Sequence, residues 1–332
     1  MQDNKKYIEI DFYKLWRHVR LTREQKENTK YFLFSKFTVL FIRFAAYQNW
    51  KNSQIFAKNR KEETTNEITS YNIINNNIGV KHNNKLAIVI HVFYMDVFQS
   101  ILSDILINKT YGQKLFITCP KGLRSEIESL LKEKKANYDI FLVENHGRDI
   151  LPFLKVLPLV LKQDFDIILK IHTKRSNHLN RKKIWAHDIF EKLINDNSSQ
   201  NVLNIFNQHP EIGMIGPEGH ILPMSLYYGG NAINVVKLCL KMGLKQNQLQ
   251  GLNFVAGSMF YARKEALIPI LKMNLSERDF EGEDRQLDNT MAHAVERVFS
   301  VGLILSGLKL ADTSSTPTYL SYKTTNNHHF TI

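Results

Sequence analysis

The segment IILKIHTKRS, Ile167 to Ser176, runs from apolar residues of strand length into His172, Thr173, Lys174, Arg175 and Ser176. In an extended chain alternate side chains point the same way, so His172 and Lys174 share a face and Thr173 opposes them. An imidazole beside a lysine, with Lys170 and Arg175 close by in the chain, makes a poor metal site and a good diphosphate site. A second group is acidic: Glu281, Glu283 and Asp284 crowd into the start of EGEDRQLDNTMAHAVER. Acids at a helix start complement the helix dipole, at about 0.3 to 1 kcal/mol each. That accounts comfortably for one of them. If a helix starts near Glu283 and buries Leu287, Met291, Ala294 and Val295, then Glu283 and Asp284 face inward at its mouth. A general base aimed at an acceptor hydroxyl would explain that placement. His293, on the other phase with Asn289 and Glu296, reads as a surface or interdomain residue.

These residues need a scaffold, and the chain from Leu86 onward supplies one. LAIVIHVF, KLFITC, YDIFLVEN and FDIILKIH have strand length and are separated by pieces of helical length and period. Strand followed by helix, four times, predicts an α/β fold with a mainly parallel sheet flanked by helices. Ligands of such sheets bind outside the carboxyl ends of the strands. Those ends hold His91, Phe93, Tyr94 and Asp96 after the first strand, ENHGRDILPF after the third and IHTKRS after the fourth. Each cluster has a plain structural explanation: Asn145 and Gly147 make a turn, Asp149 caps a helix, Lys174 and Arg175 are solvated charges. Three on one edge are much less expected. Further on, IGMIGPEG predicts a strand and turn, and GLNFVAGSMFYARKEAL a single strand leading into a helix, with Gly257 and Ser258 in its middle. A glycine there marks a bulge or the close approach of a ligand. The chain holds no H-E-x-x-H, no P-loop and no G-x-G-x-x-G.

The 332 residues carry a formal charge of +12, which points to a polyanionic neighbour: nucleic acid, an anionic membrane leaflet or a phosphorylated substrate. Residues 1–60 hold 13 Lys and Arg against 5 Asp and Glu, so most of the excess lies there. Phe12, Leu15, Trp16 and Val19 recur at helical spacing, and an aromatic run from Tyr31 to Trp50 follows. We expect a small basic helical region over 1–60, its aromatic run either packed on the core or lying in a membrane interface. Residues 61–85, rich in Asn, Thr and Glu, read as a polar linker, 86–312 as the main domain and 313–332 as a polar tail. No apolar run reaches about 18 residues. Cys119 and Cys239 form no C-x-x-C pair and no signal peptide is evident, which predicts a reducing cytoplasmic setting.

Taken in order, IHVFYMD, ENHGRDILPFL, DIILKIHTKRS, WAHDIF, IGMIGP, VAGSMFYARKEAL and FEGEDRQLDNTMAHAVER resemble the rhamnan synthesis F family of bacterial polysaccharide biosynthesis proteins. The likeness covers about residues 86–312. It implies a glycosyltransferase, often a rhamnosyltransferase, building O-antigen or capsular glycan. The order of elements is also similar to the GT-A fold, a Rossmann-like half with the nucleotide-sugar across its strand ends. There the end of the fourth strand usually carries Asp-x-Asp for a divalent metal, and here it carries His172-Thr173-Lys174.

What the resemblance implies, combined with the residues, is an inverting transfer from a nucleotide diphosphate sugar such as dTDP-rhamnose. Phe93 and Tyr94 would flank the base, and Asn145, Arg148 and Asp149 the ribose or sugar. His172, Lys174 and Arg175 would meet the departing diphosphate, Gly257 and Ser258 the acceptor side, and Glu283 or Asp284 would be the base. No cofactor is expected; a divalent metal is the less expected option. The expected acceptor is a glycan on a lipid carrier, and the basic helices would hold a cytoplasmic protein peripheral to the anionic inner face of the membrane. The alternative is a nucleic-acid-binding or non-catalytic membrane scaffold protein on an α/β fold. Its nucleic-acid form is disfavoured because the unusual residues follow a sheet rim and not a continuous basic face.

Overall fold

A computed structural model describes residues 21–57, 68–71, 85–107, 113–174, 180–283, 286, 288–326 and 328, with the side chains of 180–184 and 196 left out. The expected helix through Phe12, Leu15, Trp16 and Val19, together with Arg175, Asp284 and Leu287, lies outside the described residues. The strands are β1 Ile68–Tyr71, β2 Leu86–His91, β3 Lys114–Cys119, β4 Tyr138–Leu142, β5 Ile167–His172, β6 Ile212–Gly216, β7 Ile221–Pro223, β8 Asn253–Val255, β9 Phe260–Arg263, β10 Lys309–Asp312 and β11 Leu320–Lys323.

Seven of them form one sheet in the order β10-β6-β9-β5-β2-β3-β4. β4, β3, β2 and β5 are mutually parallel, β9 runs antiparallel between β5 and β6, and β10 is parallel to β6. Helices Met95–Ile107, Arg124–Glu133, Ile150–Leu161 and Asn180–Ile194 follow the first four strands of the series in turn. The expected α/β class, a mostly parallel sheet flanked by helices and compatible with a Rossmann-like fold, is what the chain adopts.

Strand alternation divides the core in two. Ala87, Val89 and Ile168 join helix Ile150–Leu161 on one face, while Ile88, Ile90, Leu169 and Ile171 join Met95–Ile107 and Asn180–Ile194 on the other. Every residue of β2 and β5 is buried, which is why these strands read as continuous apolar runs and not as alternating ones. From β2 the chain moves outward through β3 to β4, then returns to the other side of β2 as β5. The reversal puts a topological switch point between β2 and β5, and in α/β sheets the crevice that receives ligands lies beyond the carboxyl ends of the strands at such a point.

The segment expected as one strand around Gly257 is two, β8 and β9. Gly257 (φ +88°) and Ser258 (φ +51°) both take left-handed backbone, which ends the extended run between them. β8 pairs with β7 outside the main sheet. The helix expected near Glu283 starts at Met291, with Thr290 as its cap and Ala292, Ala294, Val295 and Val298 buried. Ahead of it the chain is tied down elsewhere: Asp288 accepts from Gly230 N and Asn231 Nδ2, and Asn289 is left-handed at φ +64°. Within the polar stretch before residue 86, β1 pairs antiparallel with β11, which lies beyond residue 312.

Helices Arg23–Lys36, Thr38–Phe41 and Ala45–Ser53 enclose a small cluster of Phe34, Tyr47 and Trp50. They are fastened to the main body by Asn49, which donates to Gly229 O at 2.6 Å and accepts from Ala232 N at 2.9 Å. Tyr228 Oη donates to Glu27 Oε2 at 2.8 Å, and the Arg23 guanidinium lies 4.5 Å from the Tyr227 ring. No helix among the described residues is long and apolar enough to cross a membrane.

Candidate functional site

The crevice is floored by a buried ion pair. Lys170, the fourth residue of β5, points to the same face as Ile168 and His172, and is 1% exposed. Its ammonium donates to Asp149 Oδ2 at 2.6 Å, to Ser258 O at 2.8 Å and to Ser258 Oγ at 3.1 Å, which satisfies its three protons. The rings of Phe153 and Phe299 lie 5.3 and 5.6 Å away. Ser258 Oγ also donates to Asp149 Oδ2 at 2.7 Å. Burial alone would raise the Asp149 carboxyl. His172, which is cationic only at the acid pH where this carboxyl would take up a proton, the charge of Lys170 and the bonds from Lys170 and Ser258 outweigh it and hold the group well below the usual carboxylate range. Asp149 precedes helix Ile150–Leu161 but makes no side-chain cap; its oxygen serves Lys170 instead.

His172 and His91 are register partners on β5 and β2. Burial lowers His172 to about 3 and His91 to about 4, so both rings are neutral at pH 7. His91 Nδ1 pairs with Thr118 Oγ1 at 3.0 Å. His172 Nδ1 lies 3.4 Å from Asp149 Oδ2 without hydrogen-bond geometry, which leaves it buried with no hydrogen-bond partner. His172 therefore offers hydrogen-bonding nitrogens and no positive charge. Thr173 turns inward and its Oγ1 accepts from Phe93 N at 2.8 Å and Tyr94 N at 3.0 Å. That clasp ties the turn after β2 to the end of β5. Lys174 Nζ stands 3.7 Å from the centre of the Trp185 ring.

The ENHGRD turn forms the next wall. Gly147 is left-handed at φ +65°, and a Cβ there would stand 2.5 Å from Leu151 Cβ. Arg148 is left-handed as well, at φ +57°. Its N–H donates to Glu283 Oε1 at 3.0 Å, and its guanidinium reaches His293 Nε2 at 2.9 Å and the Gln286 carbonyl. His293 is thus a part-buried wall of the site and not a surface residue; burial lowers it to about 4, and Nδ1 pairs with Thr290 Oγ1 at 2.8 Å. Glu296, expected on that same outer phase, accepts from Gly257 N at 2.6 Å. Glu281 accepts from Met291 N, the service to a helix start that one acid was expected to give.

The structure brings together Asp149, His172 and Ser258 through Lys170, Arg148 with Glu283, and Phe93 and Tyr94 with Thr173. A Cβ on Gly257 would lie 3.5 Å from Trp185, so the acceptor-side pair borders Lys174 through that indole. Asn145 is exposed on the same turn. Trp185 and His220 are what the sequence reasoning missed, together with the burial of Lys170, which it took only as a nearby cation. Lysine inside an apolar strand was the signal for the last, since an unpaired ammonium has no reason to be there.

A metal fits this floor poorly. Asp149, the carboxylate that meets Lys170 and His172 of β5, has an ammonium 2.6 Å away, which repels a dication. Among the described residues no group of three or more His, Cys, Asp or Glu side chains is placed to hold a metal ion.

Two curated relatives, each named uncharacterized protein WxcX, come from Xanthomonas campestris pv. campestris strains B100 and ATCC 33913. Each is 32% identical over 230 residues, covering 69% of this chain and 33% of the relative, so the chain spans about a third of their length. The family model of rhamnan synthesis protein F matches residues 48–303, from the third of the helices before β1 to the helix before β10. The chain therefore belongs to the rhamnan synthesis protein F family, a family of polysaccharide synthesis.

Proposed function

We propose that the chain is an inverting glycosyltransferase of the GT-A type, which moves a sugar, with rhamnose the first candidate, from a nucleotide diphosphate donor to a growing cell-surface glycan. The observation that carries this reading is the convergence of three polar clusters on the crevice beside β2 and β5, fixed by the buried Lys170–Asp149–Ser258 contacts. The base would lie near Phe93 and Tyr94, and the ribose or sugar near Asn145, Arg148 and Asp149. Lys174, with Arg175 beside it in the chain, would face the diphosphate, and His172 would supply a neutral hydrogen bond there. Gly257 and Ser258 would border the acceptor.

In the transfer an acceptor oxygen attacks the anomeric carbon as that carbon's bond to the diphosphate oxygen breaks. Glu283 or Asp284 takes the hydroxyl proton, and the departing diphosphate keeps the bonding electrons. Charge grows on it toward the transition state, where a fixed cation is most effective. The protein's own cations would supply that charge without a metal.

The acceptor would ride on a lipid carrier, with the chain lying on the anionic inner face of the cytoplasmic membrane. In support, Phe32, Phe37, Val39, Leu40 and Ile42 are exposed together, Val39 at 87% and Leu40 at 68%, beside the exposed Lys36 and Arg43. Apolar side chains flanked by cations suit an anionic interface.

Thermal-shift screening against nucleotide sugars, with EDTA and with Mg²⁺ or Mn²⁺, tests the reading. One donor should raise the melting temperature equally in EDTA. Turnover in EDTA should persist, and Lys174→Ala should remove about 1.5 to 3 kcal/mol of stabilisation, more from turnover than from donor affinity. Either Glu283→Gln or Asp284→Asn should lower turnover about 10²-fold with donor affinity nearly intact. Salt-dependent DNA binding without donor binding would support the nucleic-acid alternative.

A further inference from the structure

One group of side chains has no part in the mechanism above and converges on a single ring. Trp185, in helix Asn180–Ile194, donates its indole N–H to His220 Nδ1 at 3.1 Å. An indole nitrogen can only donate, so Nδ1 of His220 is an acceptor and its proton sits on Nε2. That Nε2–H donates to Asp188 Oδ2 at 2.6 Å, and Asp188 also accepts from Lys192 at 2.8 Å. Burial, opposed by Asp188, lowers His220 to about 4, which keeps this neutral tautomer through the physiological range. The two rings are 13° from coplanar with centroids 6.5 Å apart, an edge-to-edge arrangement that leaves the indole faces clear of the imidazole. His328 stands edge-on to both, 6.0 Å from Trp185 and 5.1 Å from His220. The indole borders Gly257, and over its face lies the Lys174 ammonium, 3.7 Å from the ring centre.

We propose that Trp185 is a positioning residue for Lys174: the indole face, locked in orientation by His220 and Asp188, holds the ammonium at the diphosphate subsite beside His172. A lysine has four rotatable bonds and a strongly hydrated head, so a fixed neighbour narrows the rotamers in which its ammonium stands. A fixed aromatic face attracts the cation through the ring quadrupole. The strut reaches from helix Asn180–Ile194 through the turn between β6 and β7 to the segment after β11. Three separate elements thereby set where one charge stands. This inference rests on the donor-site reading above, and its test separates the two.

The protein has three tryptophans, so Trp16→Phe with Trp50→Phe leaves Trp185 as the sole indole emitter. Without ligand, Lys174→Met should change Trp185 emission; an unchanged spectrum overturns the contact. With dTDP and UDP as probes, calorimetry should show affinity for the bound nucleotide falling about 10-fold in Lys174→Met, the size expected for a lost charge-assisted contact. Trp185→Leu should match that loss, and the double variant should add almost nothing to either single one. Trp185→Phe, which keeps an aromatic face but loses the N–H bond to His220, should bind more tightly than Trp185→Leu and less tightly than the parent, an order that damaged folding alone would not give. If Trp185→Leu binds like the parent while Lys174→Met is weak, the positioning role is wrong and the donor site stands. If neither nucleotide binds the parent, the donor-site reading falls and takes this one with it.

Discussion

At the sheet rim the charges are inside; on the helices Arg23–Ser53 the apolar side chains are outside. Lys170 is buried against Phe153 and Phe299 and paired with Asp149, while Val39 and Leu40 stand in solvent. Both arrangements depart from the usual partition, and a buried charge or an exposed apolar cluster tells more than any ordinary residue does. They differ in what each would lose. A buried ion pair is coupled to everything that desolvates it, so it cannot be altered quietly. An exposed apolar residue contributes little to the fold and can be altered without harm to it.

The largest expected effect lies in the rim. Lys170→Met should strand the Asp149 carboxylate and lower unfolding free energy by about 3 to 5 kcal/mol in urea titration, whereas Lys170→Met with Asp149→Leu should recover much of that. A single variant as stable as the parent would mean the pair is not the floor of the site. Acid comes next. His91, His172, His220 and His293 stay neutral in the fold down to about pH 3 to 4, while in the unfolded chain they take up protons below about 6.5. The unfolded state then binds more protons, so stability present above pH 6.5 should fall as pH drops toward 4, by on the order of a few kcal/mol. Melting temperatures measured from pH 7.5 to 4.5 check this, and a flat profile would contradict it. Gly147→Ala should cost about 1 to 2 kcal/mol for its left-handed backbone, and more if Leu151 cannot move. The smallest effect on stability belongs to the other region. Val39, Leu40 and Ile42 changed together to Ser should stay within about 0.5 kcal/mol of the parent per site, yet lose sedimentation with anionic vesicles. A large loss of stability there would show that these residues pack on something, and would end the contrast.

The strands were legible because their apolar runs are continuous, and the edge where polar residues gather followed from strand direction alone. Less legible was the course of the chain between Phe280 and Met291. An acidic run before an amphipathic helix looks like the helix's first turn, but Asp288 is drawn off to Gly230 and Asn231, and Gln286 to Arg148. The helix starts later, and His293 turns toward Arg148 as a result. Gly257 gave a true signal of an interruption; whether it made a bulge or a break depended on Ser258 adopting left-handed backbone to reach Lys170.

By itself the sequence determined the α/β class and the family. These depend on local periodicity and on motif order, which a linear string preserves. Only the tertiary structure decided which charges are paired. Asp149 and Lys170 are 21 residues apart, Trp185 and His220 are 35 apart, and Arg148 and His293 are 145 apart. A carboxylate finds its ammonium, and an imidazole loses its proton, according to who surrounds it once water is gone, and that neighbourhood exists only after the chain has folded.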